Sequence, residues 1–392
     1  MFFLNGLIST ITAMEDMNNR KYSDTICMLP LAAINIHATG KIVRCHMSED
    51  EMGDIDLDDP IIYQWNNKKF RDLRKKQRDG EWDKGCINCQ TKEKNNIKSK
   101  RLQFMDLEHY NDLWNNKNLL DSDIKTDIWH LDIAFNNICN FKCRMCSSAY
   151  SNSWIHDEKK LIENNVPGGS GGAFQKKSVS YERQKNRNHS KQLEELLEYC
   201  NNLKKVEIIG GEPFLTNECF NFLDAIKSKG LHKQIDIMIT TNGSVITEEK
   251  LNYLLDFKYV NINFSLDAVG PLFEYMRSAG VTSWNEIKEK IYLVKNWCDK
   301  NRTETNNYKM CINGAYQIYN CLNFKDFIEF IIDTFEWEKS LPSRKSHSRH
   351  SFEHRMCMFP KFLSVIDMDK NLVKDSLKQI HCIQNKYKFL NS

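Results

Sequence analysis

Residues able to do metal chemistry gather in two places along the chain. The stretch Phe135-Asn136-Asn137-Ile138-Cys139-Asn140-Phe141-Lys142-Cys143-Arg144-Met145-Cys146 puts three thiols on one short loop, spaced Cys-x3-Cys-x2-Cys. Three sulfurs this close can hold three irons of a cubane and leave the fourth iron open to a small chelating molecule. A zinc site completed by a distant histidine, His130 or His156, is the competing reading of the same spacing. The second gathering is Cys27, Cys45, Cys86 and Cys89. Four thiols suit tetrahedral zinc as well as a fully ligated iron–sulfur cluster, and spacing alone leaves both open.

The elements around these thiols follow from local pattern. Cys27-Met28-Leu29-Pro30 leads into a β-prone run at 32–36, a turn at Thr39-Gly40 and a second run at 41–45. Such a hairpin would bring Cys27 and Cys45 together. An amphipathic segment at 70–75 ends near Gly80, and the Cys86-Ile87-Asn88-Cys89 knuckle follows. Residues 92–127 are polar, with Ser99 and Arg101 among them, and predict a partly helical bridge. Residues 129–135 alternate like a strand, the three-thiol loop leaves from its C-terminal end, and 151–160 begins the next helix.

From residue 205 the pattern is regular. Strands are predicted at 205–209, 235–240, 260–265 and 310–318, with a sixth at 362–366 when 129–135 is counted first. Helices are predicted at 217–229, at 248–255 and after Trp284. Strand followed by helix, repeated, predicts a parallel sheet with helices outside, in which ligands sit at the C-terminal strand ends. The polar residues that stand out, from Gly210-Gly211-Glu212-Pro213 to Asn242, Ser265 and Asp267, all fall at such ends.

Composition bounds the rest. The 392 residues are 41% hydrophobic and 27% charged, with a formal net charge of +3, which neither demands nor indicates nucleic acid. The basic run Lys68-Lys69, Arg71, Arg74-Lys75-Lys76 reads first as a solvated helix face. No apolar run is long enough to cross a bilayer, and the start has no basic n-region, so a cytoplasmic protein is expected. The fourteen cysteines are then reduced thiols, with metal the reason for the clustered ones. The other seven, Cys200, Cys219, Cys298, Cys311, Cys321, Cys357 and Cys382, read as small buried hydrophobes. Residues 166–173, Val-Pro-Gly-Gly-Ser-Gly-Gly-Ala, have the pattern of a flexible linker, natural or engineered, and carry no functional expectation.

With these motifs in order after successive strands, the chain resembles the radical SAM enzymes, over roughly residues 128–369. The Cys139-x3-Cys143-x2-Cys146 loop matches that family's hallmark. The resemblance implies a partial (β/α)6 TIM-like barrel and a 4Fe-4S cluster whose open iron is chelated by S-adenosylmethionine (SAM). Gly210, Gly211, Glu212 and Pro213 resemble the motif for the methionine amino group. Ser265 and Asp267 match the polar pair near the ribose, and Arg277 the arginine facing the methionine carboxylate. Asn242 and Asn320 are further SAM-contact candidates. Each also has a plainer role, as a turn, a helix cap or an exposed helix residue.

The four earlier cysteines resemble, more loosely, a SPASM or twitch domain with an auxiliary 4Fe-4S cluster, although that domain usually follows the barrel. The expected division is 1–110 for the auxiliary domain, 111–127 for a bridge, 128–370 for the barrel and 371–392 for a helical tail. The resemblance implies an oxidoreductase or peptide-modifying enzyme that cleaves SAM to a 5'-deoxyadenosyl radical. A peptide or protein substrate and an external one-electron reductant are implied with it. A carbohydrate or nucleotide substrate is the alternative within enzymes, and a zinc-binding interaction or nucleic-acid module the alternative of another class. Cys311, on the predicted fifth strand, is a candidate hydrogen donor, with a buried structural thiol as its plainer reading.

Overall fold

The computed structural model describes residues 24–45, 47–48, 50–55, 59–105, 120–164, 190–337, 350–357, 361–365 and 368–387. The glycine-rich 166–173 stretch lies outside them. The chain divides into two compact units, Met1–Ile133 with Asn188–Glu207, and Ala134–Arg187 with Ile208–Ser392.

In the first unit the hairpin forms as expected from its two β-prone runs. β1 (Ala33–Ile36) and β2 (Lys41–Val43) pair antiparallel, with Gly40 supplying the left-handed turn conformation at φ 78°. β3 (Glu51–Asp54) extends the meander beyond β2. Residues Met28–Ala32, expected to run straight into the strand, form a short buried helix that begins directly after Cys27. On its other edge β1 pairs in parallel with β4 (His130–Ala134), in register from Ala33 opposite His130 to Ile36 opposite Ile133. The alternation read in β4 does not put its polar residues in water. His130 and Asp132 are as buried as Leu131 and Ile133.

The helix Lys68–Arg78 starts where the Asn67 side chain accepts from Phe70 N. It turns Phe70, Leu73, Arg74 and Gln77 inward. Arg74 is fully buried but satisfied, donating to the carbonyls of Pro30 at 2.7 Å and Trp65 at 2.8 Å and to Asn66 Oδ1 at 3.1 Å. It therefore ties this helix to the segment that carries Cys27. The basic run at 68–76 is divided accordingly: Arg74 is core, and Lys68 and Lys75 are exposed in i,i+4 pairs with Asp72 and Asp79.

β5 (Lys205–Ile209) straddles the division, with its last two residues in the second unit. There β6 (Asp236–Thr241), β7 (Tyr259–Ser265), β8 (Asn307–Tyr316) and β9 (His350–Met356) lie side by side in that order, all parallel. Helices at Glu218–Ser228, Glu248–Asn252, Trp284–Asn301 and Phe324–Phe335 make the crossovers. Trp284–Asn301 opens on a full capping box of Ser283 and Glu286.

Alternate residues of β8 and β9 meet the helices: Trp297 lies 5.0 Å from Tyr308, Phe335 5.0 Å from His350 and Phe327 5.6 Å from Phe352, ring to ring. The opposite face carries Asn263, Cys311 and Ser351, aligned across β7, β8 and β9. Among the described residues β9 pairs only with β8, so the sheet stays open. The architecture is α/β with a mostly parallel sheet, a partial barrel.

The sixth strand differs from the expected 362–366. Lys361–Leu363 is a 3-10 turn with Phe362 exposed, and Ile366 lies outside the described residues. The strand is His350–Met356, whose helix-facing positions are His350, Phe352, His354 and Met356. Histidine counts as polar in a pattern search, yet an imidazole stacked on phenylalanine fills such a position.

Candidate functional site

The three-thiol loop is held by side chains that accept or donate to its backbone. Asn136 Oδ1 accepts from Ile138 N at 2.9 Å, and Asn152 Oδ1 from Cys139 N at 3.1 Å. Phe141, fully buried against Phe273, is the apolar anchor, and Ser151 Oγ donates to its carbonyl at 2.6 Å. Trp154 Nε1 donates to Cys143 O at 3.1 Å, and Cys146 N to the same carbonyl at 3.0 Å. Behind the loop, Glu158 accepts from the backbone N and hydroxyl of Ser148.

The Gly210-Gly211-Glu212 turn locks onto this loop. Both glycines have positive φ, 81° and 35°. A Cβ on Gly210 would lie 2.4 Å from Ala134 Cβ, and one on Gly211 2.3 Å from Ile138 O, so only glycine allows the approach. Glu212 N donates to Ile138 O at 2.8 Å. The buried Glu212 carboxylate accepts from Thr241 Oγ1 (2.7 Å), Asn242 N (2.7 Å) and Phe214 N (3.1 Å). Burial pushes its pKa up, and those three hydrogen bonds oppose the rise. Asn242 in turn donates to Asn140 Oδ1 at 3.0 Å and stands 3.7 Å from Cys139 Sγ, while Asn140 Nδ2 donates to Ser244 Oγ at 2.8 Å. Pro213 is buried beside Phe214.

A second bracket joins the ends of β7 and β8. Asp267, fully buried, accepts from Arg277 Nε and from Ala315 N, each at 2.6 Å. Asn320 Nδ2 donates to the carbonyls of Asp267 and Ala315, both at 2.8 Å. Ser265 closes β7 opposite Asn313. Arg277 is carried on a π-helical turn, Glu274–Ser278, and its Nη1 lies 3.9 Å from Cys143 Sγ. Cys311 is buried on the face turned away from the helices, and burial pushes its thiol up to about 11.

The structure thus brings Cys139, Cys143, Cys146, Gly210, Gly211, Glu212, Pro213, Asn242, Ser265, Asp267, Arg277 and Asn320 together at the C-terminal end of the second unit's sheet. Burial raises the pKa of all three thiols, Cys143 to about 12. Cys139 and Cys143 each raise Cys146, as nearby like charges do. A buried set of thiolates needs metal cations to be stable, and the three sulfurs with Arg277 beside them fit a cluster.

In the first unit, Cys27 precedes the Met28–Ala32 helix, Cys45 follows β2, Cys86 ends a 3-10 turn and Cys89 lies in the helix Ile87–Lys94. Burial raises Cys27 and Cys45, Cys45 to about 12, and the thiols raise one another: Cys45 and Cys86 act on Cys27, and Cys86 and Cys89 on Cys45. The donor set fits a fully ligated iron–sulfur cluster. Among the described residues no three His, Cys, Asp or Glu side chains converge as they would around one ion.

Sequence reasoning missed the cations here. Arg44 pairs with Asp83 and, at 2.8 Å, with Asp50, and lowers the Cys86 pKa against its burial. Arg101 pairs with Glu93, donates to Ile26 O at 2.8 Å and lowers Cys27. Gly85 is glycine because a Cβ would lie 2.4 Å from Arg44 Cζ. Arg44 was visible beside Cys45, but nothing in the pattern marked it. In the second unit Gln317 was missed as well: it is fully buried with neither amide atom hydrogen-bonded among the described residues.

Comparison with known proteins decides between iron and zinc. A profile of the Radical SAM superfamily matches residues 133–297, and one described as an iron-sulfur cluster-binding domain, SPASM, matches residues 27–90. The chain carries a radical SAM domain preceded by a SPASM domain. Its cofactors are therefore a 4Fe-4S cluster, SAM and an auxiliary iron–sulfur cluster. The probable GTP 3',8-cyclase of Methanocaldococcus jannaschii is 28% identical over 131 residues, 33% of this chain and 40% of that protein.

Among solved structures, anSMEcpe with bound AdoMet and Kp18Cys peptide aligns at 16% identity over 67% of this chain and 62% of that one, TM-score 0.40. Streptococcus suis SuiB bound to S-adenosylmethionine aligns at 15% identity over 94% of this chain and 69% of that one, TM-score 0.36. In the radical SAM domain and the SPASM domain alike, no helix among the described residues is long and apolar enough to cross a membrane.

Proposed function

We propose that the chain binds its SAM cluster through Cys139, Cys143 and Cys146 and modifies a peptide or protein side chain. The observation that carries this is the loop itself: three thiols within eight residues, with Arg277 Nη1 3.9 Å from Cys143 Sγ, on a loop held by Gly210, Gly211 and the satisfied Glu212. Held there, the cluster and SAM would supply, with one electron from an external reductant, a 5'-deoxyadenosyl radical for hydrogen abstraction from the substrate.

The chain's own residues bind and orient. Glu212 and Pro213 at the end of β5, Asn242 after β6, Ser265 and Asp267 after β7, Arg277 on the π turn and Asn320 after β8 are the SAM contacts in this reading. Cys27, Cys45, Cys86 and Cys89 hold an auxiliary 4Fe-4S cluster with no open position. A peptide substrate is favoured by the SPASM domain, which accompanies peptide modification in the resembling family. The polar face of Asn263, Cys311 and Ser351 suits such a substrate, with Cys311 able to return a hydrogen atom there. Retained activity in Cys311→Ala would remove that role.

Anaerobic reconstitution with iron and sulfide, followed by SAM and dithionite, tests the reading. About eight irons per chain and release of 5'-deoxyadenosine are expected. Iron-loaded protein that neither binds SAM nor releases 5'-deoxyadenosine would overturn it. The M. jannaschii relative favours a second reading, a nucleotide substrate. Parallel incubations with GTP and with candidate peptides in deuterated water separate the two by where deuterium enters.

A further inference from the structure

The Arg277 guanidinium is usually thought of, in the resembling family, as a partner for SAM. Its surroundings in this chain point toward the cluster as well. Its side chain is 12% exposed and pairs with the fully buried Asp267. Its Nε is fixed by Asp267 at 2.6 Å, and its Nη1 lies 3.9 Å from Cys143 Sγ. The turn that carries it is docked on the cysteine loop. Arg144 N donates to Met276 O at 2.8 Å, the Arg144 guanidinium lies 4.6 Å from the Tyr275 ring, and Glu274 accepts from Trp284 N at 2.7 Å. π-helical turns are rare and are frequently found at functional sites. Here it puts Arg277 one helical position beyond the carbonyl that fastens the loop between Cys143 and Cys146.

We propose that Arg277, held by Asp267 on this docked turn, is a positioning residue whose charge sets the reduction potential of the cluster at Cys139, Cys143 and Cys146. This rests on the ligand assignment proposed above. Net charge and hydrogen bonds near cluster sulfur are the protein's main levers on potential. The Arg277 side chain is 12% exposed and Asp267 is fully buried, so a charge at this range is screened much less than one at the surface. A cation beside the thiolate favours the reduced cluster, and the Asp267 carboxylate partly cancels it. The two members of the pair therefore pull the potential in opposite directions.

The test is a redox titration of the reconstituted cluster, followed by electron paramagnetic resonance, without SAM. Arg277→Met should lower the midpoint by at least a tenfold change in the reduction equilibrium, 59 mV for a one-electron couple. Arg277→Lys should hold it near the wild-type value. Asp267→Asn, which keeps the shape and one of the two acceptor oxygens that Arg277 and Ala315 use, should raise it. A structural role alone would shift Arg277→Met and Asp267→Asn the same way, and that outcome overturns the proposal. So does a wild-type midpoint in Arg277→Met until SAM is added, which would confine Arg277 to the cofactor. Should Arg277→Met lose its iron, the sign of the Asp267→Asn shift still decides. Wild-type protein that takes up no iron would instead refute the ligand assignment beneath it.

Discussion

The two cysteine sites hold sulfur by different means. In the second unit the loop is fixed by neutral groups: Asn136, Asn152, Asn242 and Ser151 bond its backbone or its neighbours, and the carboxylate beneath it, Glu212, is saturated by N–H and O–H donors. In the first unit the four thiols sit among ion pairs, Arg44 with Asp50 and Asp83, and Arg101 with Glu93. Neutral hydrogen bonds are little affected by salt. Ion pairs with one exposed partner, such as Asp50, are not. The three-thiol loop is thus held mainly by neutral hydrogen bonds, and the four-thiol group sits among ion pairs.

The largest effect expected from this contrast is on metal content. Replacing Cys139, Cys143 and Cys146 together by alanine should remove about half of the roughly eight irons per chain, leaving the first unit's cluster spectrum intact. Loss of all iron would show that the two sites do not load independently. Next in size is Glu212→Leu, which strands the Thr241 hydroxyl and two backbone N–H groups. A loss of about 3–5 kcal/mol is expected for the second unit, read as lost amide protection across 137–146 in hydrogen exchange. Protection in the first unit's hairpin should be unchanged.

The sequence carried the thiols, the strand-end motifs and most of the parallel repeat, because spacing and alternation survive without coordinates. It could not carry what depends on tertiary approach. That Gly210 and Gly211 serve contact with Ala134 and Ile138 is invisible in a Gly-Gly dipeptide. The roles of Arg44 and Arg101 needed the fold to bring Asp83 and Glu93 to them across 39 and 8 residues. β9 was hidden because His350 and His354 occupy apolar positions, and in the apolar run at 362–366 the described residues, 362–365, form no strand. The π turn that carries Arg277 has no pattern signature of its own.

Acid should weaken the ion-paired site through Asp83. Burial would raise the Asp83 carboxyl, but Gly85 N–H, Lys76 and Arg44 bonds outweigh it and hold the group at about 2, against an ordinary 3.8. A depressed acid stabilises the fold above its unfolded value and loses that contribution as pH falls through its folded one. The window is therefore pH 3.8 down to 2. After allowance for solvent screening the loss is about 1 kcal/mol. Asp83→Asn should remove this part of the pH dependence, and raised salt should weaken wild-type protection around residues 83–89 but not around 137–146.

The smallest expected effect lies at the Lys142–Asp157 ion pair on the cysteine loop. Lys142 pairs with Asp157 and lies 5.0 Å from the Trp154 ring, but both charged side chains are about a third exposed. Such a pair contributes little beyond what screening leaves, about 0.5 kcal/mol or less. Asp157→Asn should keep the iron content and the hydrogen-exchange protection of the loop. Its loss of protection should be smaller than that of Asp83→Asn in the first unit. If Asp157→Asn instead loosened residues 137–146 as much as Glu212→Leu does, charge would govern both sites, and the contrast between them would fail. The geometry argues otherwise, since the contacts that fix Cys139, Cys143 and Cys146 run through Asn152, Trp154 and the Gly210-Gly211 backbone, none of which carries a charge.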